Sequence, residues 1–291
     1  CYNMRTIVSL TLILLCCCPA YSDSGVKFLA METGAGPIGM GGTYTAYMAE
    51  PYSAAYNPAA IYGINSFSGS FGHDTYWKNR RFESGYISFK KGSIVYNVGL
   101  QFSEISDIEA RQTATEDPDY YFDSPDLSLK FAGAFRINKI ITAGLSVGWI
   151  FEKIDIYRGN AYAVDMGLIV KPKDNLTVGL SVLNVGTKMK INIDEYDIPT
   201  ILRIGAVYDY QDFKPAVDFV YFDEEIHVHL GGEYKIKDML FLRAGYRSGY
   251  DTKDISAGAG FVRRNIRIDY AFLPYKNKLG DSHIFGLTFS L

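Results

Sequence analysis

The sequence predicts an all-β protein, a transmembrane antiparallel β-barrel of about fourteen strands set behind an N-terminal segment of different character. Three observations carry this reading. From about residue 65 onward apolar residues recur at every second position, the period of a strand with one apolar face. Several of these segments run about ten residues or more, the length a tilted strand needs to cross a bilayer and longer than is usual in soluble sheets. Beyond the leader no apolar run reaches about 18 residues, so no helix is available to do the crossing.

The leader comes first. Met4 and Arg5 precede an apolar run from Ile7 to Cys18, followed by Pro19, Ala20, Tyr21 and Ser22. A basic start, an apolar stretch too short to span a bilayer and small residues at Ala20 and Ser22 read as a signal peptide over residues 1–22, cleaved after Ser22. Met4 is then the initiator, with Cys1 to Asn3 an upstream extension. Cys1, Cys16, Cys17 and Cys18 all lie in or before this leader, so a processed chain keeps no disulfide and no thiolate site. A lipoprotein signal is disfavoured, because Leu or Cys precedes Cys16, Cys17 and Cys18 where a small residue is wanted.

Residues 23–62 form the N-terminal segment and 63–291 the expected barrel. Within the former, "GMGGTYTAYMAEPYSAAYNPAAI" from Gly39 to Ile61 is rich in Gly and Ala and nearly uncharged. In the latter, Ile94, Tyr96, Val98, Leu100 and Phe102 share one face, with Val95, Asn97, Gly99 and Gln101 on the other. The pattern recurs in Leu127, Leu129, Phe131 and Phe135 against Ser128, Lys130, Ala132, Ala134 and Arg136. It recurs again in Ile141, Ala143, Leu145, Val147, Trp149 and Phe151 against Thr142, Gly144, Ser146 and Gly148. A soluble sandwich also alternates, but its outer face would carry Lys, Glu and Thr. Here the second face is small or polar, with Gly99, Gly144, Gly148, Gly179, Gly258 and Gly260, and suits a lumen.

The segments centre near Gly69, Ile87, Val98, Phe131, Val147, Met166, Leu180, Ile204, Val217, Leu230, Leu242, Ala257, Ile268 and Leu287, an even set. Connections at Lys90 to Ser93, Asn138 to Lys139, Tyr210 to Phe213 and Val262 to Asn265 are tight, while Glu104 to Ser124, Gly186 to Pro199 and Leu273 to Asp281 are longer. Outer-membrane barrels have short periplasmic turns and longer outer loops, so this phase puts the chain in the cell outer membrane with both termini periplasmic. Phe222 to Glu225 is a short connection on the side expected to be outside. The last strand, "HIFGLTFSL", aligns Phe285, Leu287, Phe289 and Leu291 and resembles the C-terminal signal read by the barrel-assembly machinery, with Leu291 where that signal usually has Phe.

Gly39, Met40, Gly41, Gly42, Asn57, Pro58 and Ala59 match, in order and spacing, a glycine-methionine-glycine turn and an Asn-Pro-Ala ending before a first strand. In this the chain resembles the FadL-type outer-membrane transporters, and more closely the PorV/PorQ-type and spirochaete FadL-like group. Asp269 to Pro274 and Leu279 to His283 resemble the closing hairpin of that group. The resemblance implies that the segment is a small plug folded inside the barrel. Gly and Ala permit close backbone approach there, and Pro58 fixes its own φ and restricts Asn57 at the exit into the first strand. An arm lying outside the barrel is the competing arrangement.

Other chemistry is sparse. His227, His229 and Glu233 share a strand face and could in principle hold zinc, but an inward barrel face is polar anyway, so no metal and no cofactor is expected. Arg203, Asp218, Arg243, Arg247, Arg267 and Asp269 read as a lumen charge ladder. Glu116, Asp117, Asp119 and Asp123 lack the ordered spacing of a calcium loop. No nucleophile with a base, phosphate loop or paired carboxylates mark an enzyme. A formal charge of -3 gives no attraction to nucleic acid. The expected partners are outer-membrane lipid, the assembly machinery during biogenesis, and either a small hydrophobic ligand or a secretion-system component. The resemblance leaves two functions: passage of small hydrophobic compounds, or a non-transporting accessory barrel for protein secretion or surface attachment. A chain short for a FadL transporter weighs against the first; no feature peculiar to a secretion partner weighs against the second.

Overall fold

A computed structural model describes residues 25–48, 50–76 and 80–291; the expected signal peptide lies outside the described residues. The strands are β1 (Phe67–Thr75), β2 (Arg80–Lys91), β3 (Ile94–Ala110), β4 (Tyr120–Arg136), β5 (Ile141–Ile154), β6 (Tyr157–Lys173), β7 (Leu176–Gly186), β8 (Met189–Ile191), β9 (Asp194–Tyr196) and β10 (Ile201–Tyr208). They continue with β11 (Phe213–Phe222), β12 (Glu225–Ile236), β13 (Leu240–Ser248), β14 (Ile255–Arg263), β15 (Ile266–Pro274) and β16 (Asp281–Ser290). All but β8 and β9 form one closed antiparallel barrel, so fourteen strands make the wall, and each of the fourteen predicted centres falls in its own strand. Pairing of β1 with β16, from Ser68 opposite Ser290 to Thr75 opposite His283, closes the sheet and leaves no unpaired edge.

The faces follow from the alternation. On β3 Tyr96 and Leu100 point out, and Val95, Asn97, Gly99 and Gln101 are buried within. On β5 Leu145 and Val147 are half-exposed, while Thr142, Ser146 and Ile150 are buried. The outside of the barrel is thus a belt of Leu, Ile, Val, Phe and Tyr, the surface that hydrocarbon chains solvate. Replacing Leu145 by Arg should therefore cost roughly 2–4 kcal/mol of folding free energy if it lies near the bilayer midplane. Urea titration of protein refolded into vesicles measures this. No loss relative to wild type would mean that Leu145 does not face lipid.

The connections differ in part from the expectation. At the end where β1 starts and β16 finishes they are all short: residues 92–93, 137–140, 174–175, 209–212, 237–239 and 264–265. The opposite end is mixed. Most of Glu104 to Ser124 extends β3 and β4, leaving only 111–119 as a loop, and β5 to β6 turns in two residues, 155–156, as tightly as β11 to β12 at 223–224. Gly186 to Pro199 carries the β8–β9 hairpin, which packs against β6 at the mouth.

Residues 25–64 thread the lumen. They form short 3-10 turns at Lys27–Ala30, Pro51–Ala55 and Pro58–Gly63 and a one-turn helix, α1 (Ala35–Gly39). Gly25 lies against Tyr196 and Lys27 is 3.8 Å from Asp223, both at the loop-bearing end. The segment leaves at the other end, through Ile64 into β1. The start of the barrel and its last strand share one end, but the first described residues sit at the opposite one. The passage between the two ends is made by a segment without strand periodicity.

Candidate functional site: the filled lumen

Backbone contact comes first. Gly41 and Gly42 take φ values of 70° and 75°, in the left-handed region that favours glycine. Facing them is Gly245 of β13, where a Cβ would run into the Met40–Gly41 backbone. On the other wall a Cβ on Gly144 of β5 would run into Pro58 and Ala59. Asn57 caps the last turn: its Oδ1 accepts from Ala59 N at 3.0 Å, and its Nδ2 donates to the carbonyls of Thr45 and Leu168 at 2.8 and 3.1 Å. Pro58 stands at the first position of that turn, where its missing N–H costs nothing. Met40 is buried among Tyr44, Tyr47 and Val207.

The wall from β10 to β15 binds this segment by charge. Arg203 donates to Thr45 Oγ1 at 2.9 Å, to the Gly42 carbonyl at 2.6 Å and to Asp218 at 3.0 Å. Asp218 also accepts from Thr45 N and Oγ1. Glu233 accepts from Tyr47 OH at 2.5 Å and from Arg243 at 2.8 Å, and Arg243 continues to Asp269 at 2.8 Å. Arg267 pairs with Glu50 at 2.7 Å and with Asp269 at 2.9 Å. Arg247, fully buried, grips Glu32 through two bonds of 3.0 and 2.7 Å, with Lys253 and His229 at 3.7 and 3.8 Å.

Arg203, Asp218, His227, His229, Glu233, Arg243, Arg247, Arg267 and Asp269 lie on inward strand positions and fall into separate groups. His227 stacks on Tyr250 at 4.0 Å, and His229 Nε2 meets Tyr250 OH at 3.0 Å, whereas Glu233 belongs to the arginine cluster. Among the described residues no three His, Cys, Asp or Glu side chains are placed to hold an ion. Sequence reasoning missed Glu32, Thr45, Tyr47 and Glu50. A signal existed for two of them, since Glu32 and Glu50 are the only carboxylates between residues 25 and 62.

Burial in water-poor surroundings makes these charges depend on their partners.

The β2–β7 wall meets the segment differently. Tyr52, Ile61 and Ile64 pack on Tyr86, Val95, Ala132 and Ala134, and Ala59 and Ala60 on Ile169. At the loop-bearing mouth Val26, Phe28 and Leu29 pack among Phe82, Ile150 and Ala161 of the wall and Met189 and Ile191 of the β8–β9 hairpin. Phe28 is 1% exposed. Between this mouth and the deeper segment lies a cavity of about 40 Å³.

No protein-family model and no curated protein sequence matches this chain. Solved structures do. The toluene transporter TbuX of Ralstonia pickettii superposes with a TM-score of 0.67 at 12% identity, covering 89% of this chain and 98% of that one. The toluene transporter TodX of Pseudomonas putida gives 0.65 at 13% identity, covering 88% and 96%. A FadL homologue of Pseudomonas aeruginosa gives 0.54 at 12%, covering 89% and 98%. The chain has their fold. At this identity the likeness concerns the architecture of the barrel alone.

Proposed function

We propose that the protein is an outer-membrane channel for small hydrophobic compounds, taken up at the loop-bearing mouth. The observation that carries this is the apolar mouth itself, a cluster of Phe82, Ile150, Ala161, Met189 and Ile191 whose centre is filled by the chain's own Phe28 and Leu29. The folds of TbuX and TodX, both described as toluene transporters, support it. In this reading the inner segment has a tip and a shaft. Residues 25–31 make no hydrogen bond to the barrel among the described residues and are held by apolar packing and the long Lys27–Asp223 pair. From Glu32 onward the segment is tied by buried ion pairs. Val26 adds strain, a β-branched residue at φ 55°. An apolar ligand that offers the wall the same contacts therefore displaces the tip first.

The test is uptake of radiolabelled toluene by a Gram-negative host expressing the protein. Uptake should rise several-fold over cells expressing an Ile150→Arg variant, which puts a charge into the mouth. In the same cells surface protease should remove an epitope placed between residues 187 and 199. Uptake no faster than in cells without the protein would sink the channel reading, and a protected epitope would invert its orientation.

A further inference from the structure

The cavity below the mouth has a chemistry that the mouth does not share. Its roof is Leu29, Ala30 and Met31 of the tip, and its sides carry Asn97, Gln101, Lys130, Ser146 and Asn184 from β3 to β7, with Arg203 from β10. A compound that displaces the tip meets these groups next. At about 40 Å³ the space takes roughly three water molecules, and it widens only when the roof withdraws.

We infer that this chamber selects neutral compounds carrying a hydroxyl or carbonyl oxygen over both bare hydrocarbons and carboxylates. The inference rests on the channel reading above and names the substrate class within it. Each charged side chain lining the chamber already has its partner. Lys130 gives its three donors to Asp165, at 2.7 and 3.0 Å, and to Asn184 Oδ1, at 2.7 Å. Arg203 is paired with Asp218 and donates to Thr45 and Gly42 through Nε and Nη2, and Glu32 is paired with Arg247. A carboxylate arriving here meets cations whose charge Asp165 and Asp218 already balance, and it must shed its water to compete with them. A hydrocarbon offers the amide of Gln101 and the hydroxyl of Ser146 no hydrogen bond. An uncharged ring bearing one oxygen meets both demands, leaving its apolar body in the mouth.

Three probes that differ at a single para substituent separate the cases: toluene, 4-methylphenol and 4-methylbenzoate, titrated calorimetrically into the full chain in detergent. 4-Methylphenol should bind at least about tenfold more tightly than either of the others. In a Gln101→Leu, Ser146→Ala variant, checked for folding by heat-modifiable migration on gels, that preference should shrink and toluene should gain. If the double variant fails to fold, Ser146→Ala alone should show the same shift at smaller size. Preference for toluene or for the carboxylate, or a preference that the variants leave unchanged, overturns the selectivity while leaving the channel in place. Failure of all three probes to bind overturns both.

Discussion

Replacing Arg247 by Met is expected to destabilise the protein by roughly 3–5 kcal/mol, the cost of stranding a buried carboxylate. The partner left behind is Glu32, held by Arg247 through two bonds and otherwise only by Lys253 and His229 at longer range. Met keeps most of the volume, so the loss reports charge and not a cavity. The double variant Arg247→Met, Glu32→Gln should recover most of it, because two neutral groups in that place ask little of their surroundings. Urea unfolding in vesicles, read as a double-mutant cycle, measures the coupling. Additive losses would show that Glu32 and Arg247 do not depend on one another. The same cycle at Glu50 and Arg267 should couple less, since Asp269 and Glu233 also face Arg267 and share its charge.

The contrast between these pairs explains what the sequence could and could not disclose. A strand with a lipid face and a lumen face writes its period into every second residue, so Ile94 to Phe102 or Ile141 to Phe151 can be read without knowing their neighbours. The extensions of β3 and β4 toward Ala110 and Tyr120 could not, because the register shifts between Ile105 and Ile108, which puts those two apolar residues three positions apart and breaks the period of two. The three-residue strands β8 and β9 are too short to show a period at all. Lumen charges were legible as inward-facing, but not as pairs. Glu32 and Arg247 lie 215 residues apart, Thr45 and Asp218 173, and the choice of partner is made by where the inner segment runs and not by any local pattern. The mouth was hidden for the same reason: Phe28 and Leu29 look like ordinary apolar residues until the path of the chain sets them among Phe82, Ile150 and Met189.

Deleting residues 28–58 is expected to leave a barrel that still assembles and conducts ions far better than the full chain. Assembly should survive because the strand pairing, the apolar belt and the closure of β1 on β16 involve none of the deleted residues. The wall glycines that now face the segment, Gly144 and Gly245 among them, lose a neighbour but no hydrogen-bonded partner strand. Conductance should rise because the segment that packs against the inward wall is gone and water can fill its place. Its ion preference should also be defined. Removing Glu32 takes the acid partner away from Arg247 and Lys253 while Arg267 keeps Asp269, so the opened pore should favour anions. Planar-bilayer recordings give both quantities, the conductance from step size and the selectivity from the reversal potential in a salt gradient. A smaller deletion, of residues 25–31 alone, should leave ion conductance low while speeding toluene uptake, because the shaft keeps its ion pairs and only the apolar mouth is vacated. If the large deletion conducts no better than the full chain, the wall's own side chains close the lumen and the inner segment is not its gate.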